Sequence, residues 1–368
     1  MHTGYVWEEL YGWHDTGTHA GFIAPGGLVQ PFHHYESAET KVRMAALVEV
    51  SGLGRHLQRL RPEPASDQDV LAVHTVEHLE HLRAGSAALR GGDAGDGTSP
   101  FGPGGLEIAR LAAGGAIAAA RAVVAGEVRN AYALVRPPGH HARSDGGMGF
   151  CMLANAAIAI QHVRRHLGVG RVAVVDWDVH HGNGTQQIFE ADPDVLTISL
   201  HQDDLYPKGG GTIAERGVGA GVGATINVPL PAGTGNEGYV HAVETVVVPA
   251  LHRFRPDLIV VACGFDAAAL DPLGQMLVTP SGFRRMTRLV LDAAEALCGG
   301  RLLMTHEGGY SPIHVPLCGV AVLEEMSGHK TDVVDFMADE YETLPDHALK
   351  PYTAEAIAAA ARAAGLPA

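Results

Sequence analysis

The stretch VAVVDWDVHHGNGTQ, Val172–Gln186, runs from an apolar, β-branched segment straight into two aspartates, two histidines and two glycines. The opening reads as a buried strand. The acid and imidazole that follow fit either a polar strand end satisfied by neighbouring loops or a metal site. In an open parallel sheet, ligands bind outside the carboxyl ends of the strands. The other strand ends therefore decide between the two readings.

Short β-branched runs recur at 131–136, 171–176, 195–200, 225–230, 258–263 and 301–305. Helix-like segments lie among them at 155–167, 237–252 and 280–297, and the Ala-rich stretches 106–126 and 354–364 also read as helices. Strand and helix in alternation at this spacing predict an α/β fold: an open parallel β-sheet with helices on both faces. With no internal repeat and no linker, the expectation is a single domain over residues 1–368.

The strand ends share one character. The first gives RPPGHHA with His140 and His141; the second gives Asp176, Asp178, His180, His181 and Asn183; the third gives Ser199, Leu200 and His201. Later ends give CGFDAAALDPL with Asp266 and Asp271, and THEGGY with His306, Glu307 and Tyr310. One such cluster could be a capped turn, but four or five converging on one edge are hard to read that way. Asp178 and His180 are two apart and in extended backbone share a side. With Asp266 they make an Asp₂His set. Three protein ligands and an open position suit catalytic Zn²⁺, while two carboxylates leave room for Fe²⁺ or Mn²⁺.

Composition narrows the partners. The 368 residues carry 26 basic and 41 acidic side chains, for a net charge of −15. That balance opposes an electrostatic nucleic-acid partner. No apolar run is long enough to span a bilayer, and the first residues lack the basic and apolar order of a signal peptide. The four cysteines form no C-x-x-C pair, as expected of a reducing compartment. These features predict a cytoplasmic protein with no membrane partner.

Two glycine-rich stretches, 90–105 and 208–223, match no phosphate-cradle pattern and read instead as mobile loops bordering a pocket. HTVEH, His74–His78, matches the H-x-x-E-H pattern of inverted zincins. No third ligand suggests itself, so it reads as a solvated helix. Cys151 and Cys263 read as packing residues.

Taken together, RPPGHHA, GMGFC, DWDVHHGNGTQ, ISLHQ, GFDAAALDPLGQMLVTP and EGGYS resemble the arginase/deacetylase superfamily. Within it they are most similar to the class II histone deacetylases and the bacterial histone-deacetylase-like amidohydrolases. The resemblance implies the arginase/deacetylase fold and hydrolysis of an acyl-lysine or another small acylated amine. It implies zinc on Asp178, His180 and Asp266, with His140 and His141 flanking the attacking water. Asp176 would hold His140, and Asn183, a class II feature, would hold His141. Asp176 beside His140 should favour its charged form more than the neutral Asn183 amide favours that of His141, which makes His141 the better general base. Tyr310 would donate to the substrate carbonyl. Gly149, Phe150, Tyr206 and Leu273 would border the substrate channel. It further implies K⁺ on Asp176, Asp178, His180, Ser199 and Leu200, mostly through backbone carbonyls. For a second cation Phe189 and Val195 match and Asp192 departs. Ala154, where relatives carry Asn, predicts a lost cap at a helix start.

An acetylpolyamine amidohydrolase is the nearest alternative, and a catalytically silent binder of acylated ligands is one of a different class. Physiological substrate and homo-oligomeric state stay open.

Overall fold

The computed structural model describes residues 2–367. Eight strands form one parallel sheet: β1 (Thr3–Val6), β2 (Leu57–Arg59), β3 (Asn130–Ala133), β4 (Val172–Asp176), β5 (Val195–Gln202), β6 (Thr225–Leu230), β7 (Leu258–Cys263) and β8 (Leu302–His306). Their spatial order is β6-β5-β4-β7-β8-β3-β1-β2. β4, β7 and β8 are buried throughout and read VAVVD, LIVVAC and LLMTH, as strands covered on both faces must.

The strand order reverses between β4 and β7. From β4 the chain steps outward to β5 and β6; from β7 it steps the other way to β8. That reversal opens a crevice at the carboxyl ends of β4 and β7, where the acidic and imidazole-rich segments begin.

The helices follow from sequence. We label α1 (Glu39–Val50), α2 (Asp67–Val70), α3 (Val76–Ala87), α4 (Gly105–Val124) and α5 (Asn155–Leu167). α4 is rich in Ala and Gly, and its small side chains let α5 pack closely against it. α5 buries Ala156, Ile158, Ala159, Ile160 and Val163, and Gly168 ends it in the left-handed conformation. Further helices span Pro280–Cys298, which Pro280 opens, and Pro351–Ala363.

Several expectations change. The strand placed at 131–136 covers only Asn130–Ala133, and 134–136 leave the ladder. The helix placed at 237–252 is interrupted by a π-turn over Val243–Val247. β1, β2 and α1 were not foreseen; strands of three and four residues are too short to show a period.

The larger correction is at HTVEH. His74 and His78 are buried, and so this is no solvated helix. His74 Nε2 accepts from the Ala154 N–H at 3.0 Å, and His78 Nε2 donates to the Met152 carbonyl at 2.9 Å. The two rings brace the segment leading into α5. The cap missing at Ala154 is thereby replaced from outside, since His74 takes an amide hydrogen at the helix start.

His74 can accept that bond only while neutral, and burial lowers its pKa from 6.5 to about 3. The unfolded chain binds this proton below 6.5 and the folded chain does not. The stability His74 contributes is therefore complete above pH 6.5 and is lost as pH falls towards 3, at about 1.4 kcal/mol per pH unit. His74→Phe should be less stable at neutral pH yet decline less steeply between about pH 6 and 4. Denaturant titrations at a series of pH values read this, and an unchanged slope would mean that His74 is already protonated in the folded state.

Candidate active site

The turn after β4 supplies Asp178 and His180. It is a tight bend rather than the extended backbone expected, and the His180 amide donates to Asp178 Oδ1 at 3.0 Å. The turn after β7 brings Asp266. His180 Nδ1 stands 3.0 Å from both Asp178 Oδ1 and Asp266 Oδ2. Both carboxylates are fully buried. Their outer oxygens are held: Asp266 Oδ1 accepts from the Val179 amide at 2.7 Å and Asp178 Oδ2 from the Gly308 amide at 2.8 Å. A side chain at Gly308 would run into both aspartates.

Two acids around one imidazole in a dry site repel each other. Burial and the Asp178 charge push Asp266 up to about 6, while His140 and His180 hold Asp178 well below the ordinary carboxylate range. Burial opposes charge on His180, but Asp266 and Asp178 prevail and raise its pKa to about 10. The cluster thus captures a proton where a cation would be held. Converging buried oxygens and one imidazole suit a divalent metal ion.

The loop after β3 carries the histidine pair, with ring centroids 4.0 Å apart. His140 Nδ1 donates to Asp176 Oδ2 at 2.9 Å, and His141 Nδ1 donates to Asn183 Oδ1 at 2.7 Å. Burial would depress both. Asp178 and Asp176 overcome it at His140, which is raised well above 6.5. At His141 burial acts together with the charges of His140 and His180, and the ring is held neutral. With its Nδ1 hydrogen committed to Asn183, neutral His141 keeps a lone pair on Nε2.

A cavity of about 230 Å³ opens here. His141, His180 and Tyr310 line it with Gly149, Phe150, Tyr206 and Leu273. Phe150 meets Tyr310 edge-on at 5.7 Å, and Tyr206 meets His141 at 5.0 Å. Gly149 (φ 55°) and Phe150 (φ 71°) are both left-handed, and a side chain at 149 would strike the His141 ring. The sequence missed Phe22, Thr98 and Leu205, which also line the cavity. The 90–105 loop borders it through Thr98 and is tied down by Asp93, which accepts from the amides of Gly95, Gly97 and Ser99. The 208–223 loop does not line it; the Gly211 carbonyl instead accepts from His201 at 3.0 Å.

Behind His140, Asp176 pairs with Ser199 across the ladder between β4 and β5, and Leu200 follows on β5. Asp192 is engaged with Arg164 at 2.6 Å, and its amide donates to the Phe189 carbonyl. Cys151 is buried beside His140 and Glu307, and burial keeps its thiol protonated.

Three supports were not assigned in the sequence. Glu307 Oε2 accepts from the amides of Gly139 and His140 at 2.7 and 3.0 Å. Asp271 accepts from the amides of Tyr310 and Leu273 at 2.7 and 2.9 Å, which ties the tyrosine loop to the cavity wall. Glu36, Lys41 and Arg136 form a buried triad, with Glu36 Oε1 2.9 Å from Arg136 and 3.3 Å from Lys41. Lys41 Nζ lies 5.4 Å from the Tyr310 ring, which puts this cluster beside the tyrosine. Only spatial adjacency reveals these roles, because the partners are up to 168 residues apart.

A family model for the histone deacetylase domain matches residues 34–326. A histone deacetylase-like amidohydrolase of Pseudomonas aeruginosa is 52% identical over 343 residues, which cover 92% of this chain and 90% of that protein. A probable deacetylase of Archaeoglobus fulgidus is 43% identical over 271 residues, covering 73% and 74%. The crystal structure of an HDA15 HD domain superposes with a TM-score of 0.85 at 32% identity, covering 99% of this chain and 94% of that one.

Chelator-stripped protein should regain thermal stability when a divalent metal is added back, because the ion neutralises the buried Asp178–Asp266 repulsion. The gain should be clearly smaller in Asp178→Ala. Scanning calorimetry with and without metal reads it, and an equal gain in Asp178→Ala would place the effect elsewhere.

Proposed function

From the premise that this chain belongs to the histone deacetylase family, we propose that it is a zinc-dependent amidohydrolase. It removes acyl groups, acetyl in the simplest case, from lysine side chains or other acylated amines. The observation that carries this reading is that His141, His180 and Tyr310 line one cavity, with His180 in contact with both buried aspartates, Asp178 and Asp266. The proposed catalytic unit is one domain over residues 1–368, supported by a single apolar core that runs from Tyr5 to Leu366.

Asp178, His180 and Asp266 would hold the zinc. When bound, the ion supplies Lewis acidity towards the amide carbonyl and the attacking water. His141 takes a proton from that water at Nε2, and Asn183 fixes the tautomer that leaves this nitrogen free. His140 stays cationic against Asp176 and stabilises the negative charge that develops on the carbonyl carbon's oxygens. Tyr310 donates its hydroxyl hydrogen to the same oxyanion, on a loop anchored by Asp271. His141 then returns its proton to the departing nitrogen, which leaves as a free amine, and a carboxylate remains. Glu307 positions the His140 loop through two amides. Asp176, Asp178, His180, Ser199 and Leu200 would hold a structural K⁺ behind the site, and the Asp176–Ser199 register supports that placement.

Among the described residues, no carboxylate lines the cavity. Asp203 and Asp204 are exposed, and Asp204 is occupied by Lys208 and the Gly209 amide. Asp96, two residues from the cavity-lining Thr98, is engaged by the Gly149 amide at 2.8 Å and the Tyr206 hydroxyl at 3.4 Å. An acetylpolyamine would bring a second ammonium to apolar Leu273 and Leu205 and lose hydration there. The reading therefore favours acyl-lysine or apolar acylated amines over acetylpolyamines.

A hydrolysis screen of acetyl-lysine peptides, longer acyl-lysines and acetylpolyamines tests the whole proposal, with metal content measured on the same preparation to separate Zn²⁺ from Fe²⁺. Tyr310→Phe should keep its metal and lose roughly 10²–10³-fold in kcat, the scale of one oxyanion donor; near wild-type turnover would remove the tyrosine from the mechanism. Wild type should also show higher kcat/KM for an acetyl-lysine peptide than for acetylspermidine, and Leu273→Glu should shift the ratio towards the polyamine. A wild-type preference for acetylspermidine would reverse the assignment of substrate class.

A further inference from the structure

Away from the cavity, Asp69, His162 and His166 gather where α2 meets α5, and each offers a donor atom within 4.8 Å of the others. His162 and His166 are four apart on α5, which puts both rings on one face one turn apart. Their centroids are 4.7 Å apart. Asp69 faces them already oriented. Its Oδ2 accepts from the Ser66 amide at 3.0 Å and the Ser66 hydroxyl at 2.5 Å, while Ser66 Oγ accepts from the Asp69 amide at 3.2 Å. This capping box fixes one carboxylate oxygen and leaves Oδ1 to meet His162 Nδ1 at 2.8 Å. Burial would raise the Asp69 pKa, but the bonds from Ser66 and His162 outweigh it and keep the carboxyl below its ordinary range.

We propose that Asp69, His162 and His166 form a second divalent metal site, of the Zn²⁺ and Ni²⁺ class, that fastens α2 to α5. Two imidazoles and one carboxylate select transition ions over Ca²⁺ and Mg²⁺, which prefer all-oxygen shells. The ion would take the place of the hydrogen bond that now joins His162 to Asp69. Tetrahedral coordination separates neighbouring ligand atoms by about 3.3 Å. The Asp69–His162 contact then opens by about half an ångström, and the exposed His166 swings in. The exposed side leaves a fourth position to water.

The place of this site gives it a consequence. The chain beyond α2 carries His74 and His78, which hold residues 152–154, and α5 begins at Asn155. A metal joining Asp69 to His162 closes that ring of contacts, one segment away from the Gly149–Phe150 wall of the cavity. The site does not depend on the catalytic reading and can be tested without turnover.

Equilibrium dialysis against Zn²⁺, and separately Ni²⁺, followed by elemental analysis, tests the proposal on wild type, His166→Ala and Asp178→Ala. Wild type should hold about one equivalent more than His166→Ala, and Asp178→Ala should retain that equivalent. In the Asp178→Ala background, added metal should raise the melting temperature, and His166→Ala should abolish the rise. Position 166 is exposed, so the apo proteins should melt alike; His162→Gln serves as a second variant should they differ. Equal metal content in wild type and both histidine variants would overturn the proposal.

Discussion

The buried pair Asp178 and Asp266 is the constraint around which the rest is arranged. Two carboxylates without solvent cost several kcal/mol each unless cations and donors meet them. Every neighbouring element answers that demand. His180 lies between them, the Val179 and Gly308 amides take the outer oxygens, and His140 contributes its charge from 3.7 Å. Glycine at 308 is required because a side chain there would occupy the space of the carboxylates. The sheet supplies the location, since only at the β4/β7 reversal can two turns from adjacent parallel strands face each other over an open crevice. A proton resolves the repulsion partly, and a divalent ion would resolve it more fully.

The histidine pair shows how little is needed to divide two roles. The rings are chemically identical, share one loop and lie tilted to each other with centroids 4.0 Å apart. What differs is the group behind each: a carboxylate at Asp176 and an amide at Asn183. The first compensates a positive charge and the second cannot, so one ring is held cationic and the other neutral. Each also depresses the other's second protonation, which makes the split self-reinforcing.

Much of this was legible in the sequence because it is local. Buried strands betray themselves by β-branched runs, and their carboxyl ends carry the polar residues within a few positions. Asp178, His180, Asp266, the His140–His141 pair and Tyr310 could thus be named before any contact was known. What stayed hidden was either too short or too distant. β2 has three residues and offers no period. Glu307 lies 168 residues from the amide it accepts, and Glu36 lies 100 residues from Arg136. His74 and His78 were misread for a related reason. A helix pattern shows which residues share a face, but not whether that face meets water or a loop 80 residues away.

The buried triad beside the tyrosine adds a last constraint on the chemistry. Glu36 is shared by two basic side chains, Lys41 and Arg136, and Lys41 brings this cluster against the Tyr310 ring. Burial holds the Lys41 pKa below its ordinary value, and Glu36 opposes that only in part. Removing the Glu36 carboxylate would break its buried pair with Arg136, at a cost of about 3–5 kcal/mol. The triad also reaches the backbone carbonyls of Tyr11 and His14 through Arg136, at 3.0 and 2.7 Å. The N-terminal segment is thereby tied to the loop that follows β3. The same arginine opens the RPPGHHA turn, so the loop that carries the histidine pair is anchored at its start by this buried ion cluster. Fold and site are coupled there through charge rather than through apolar packing.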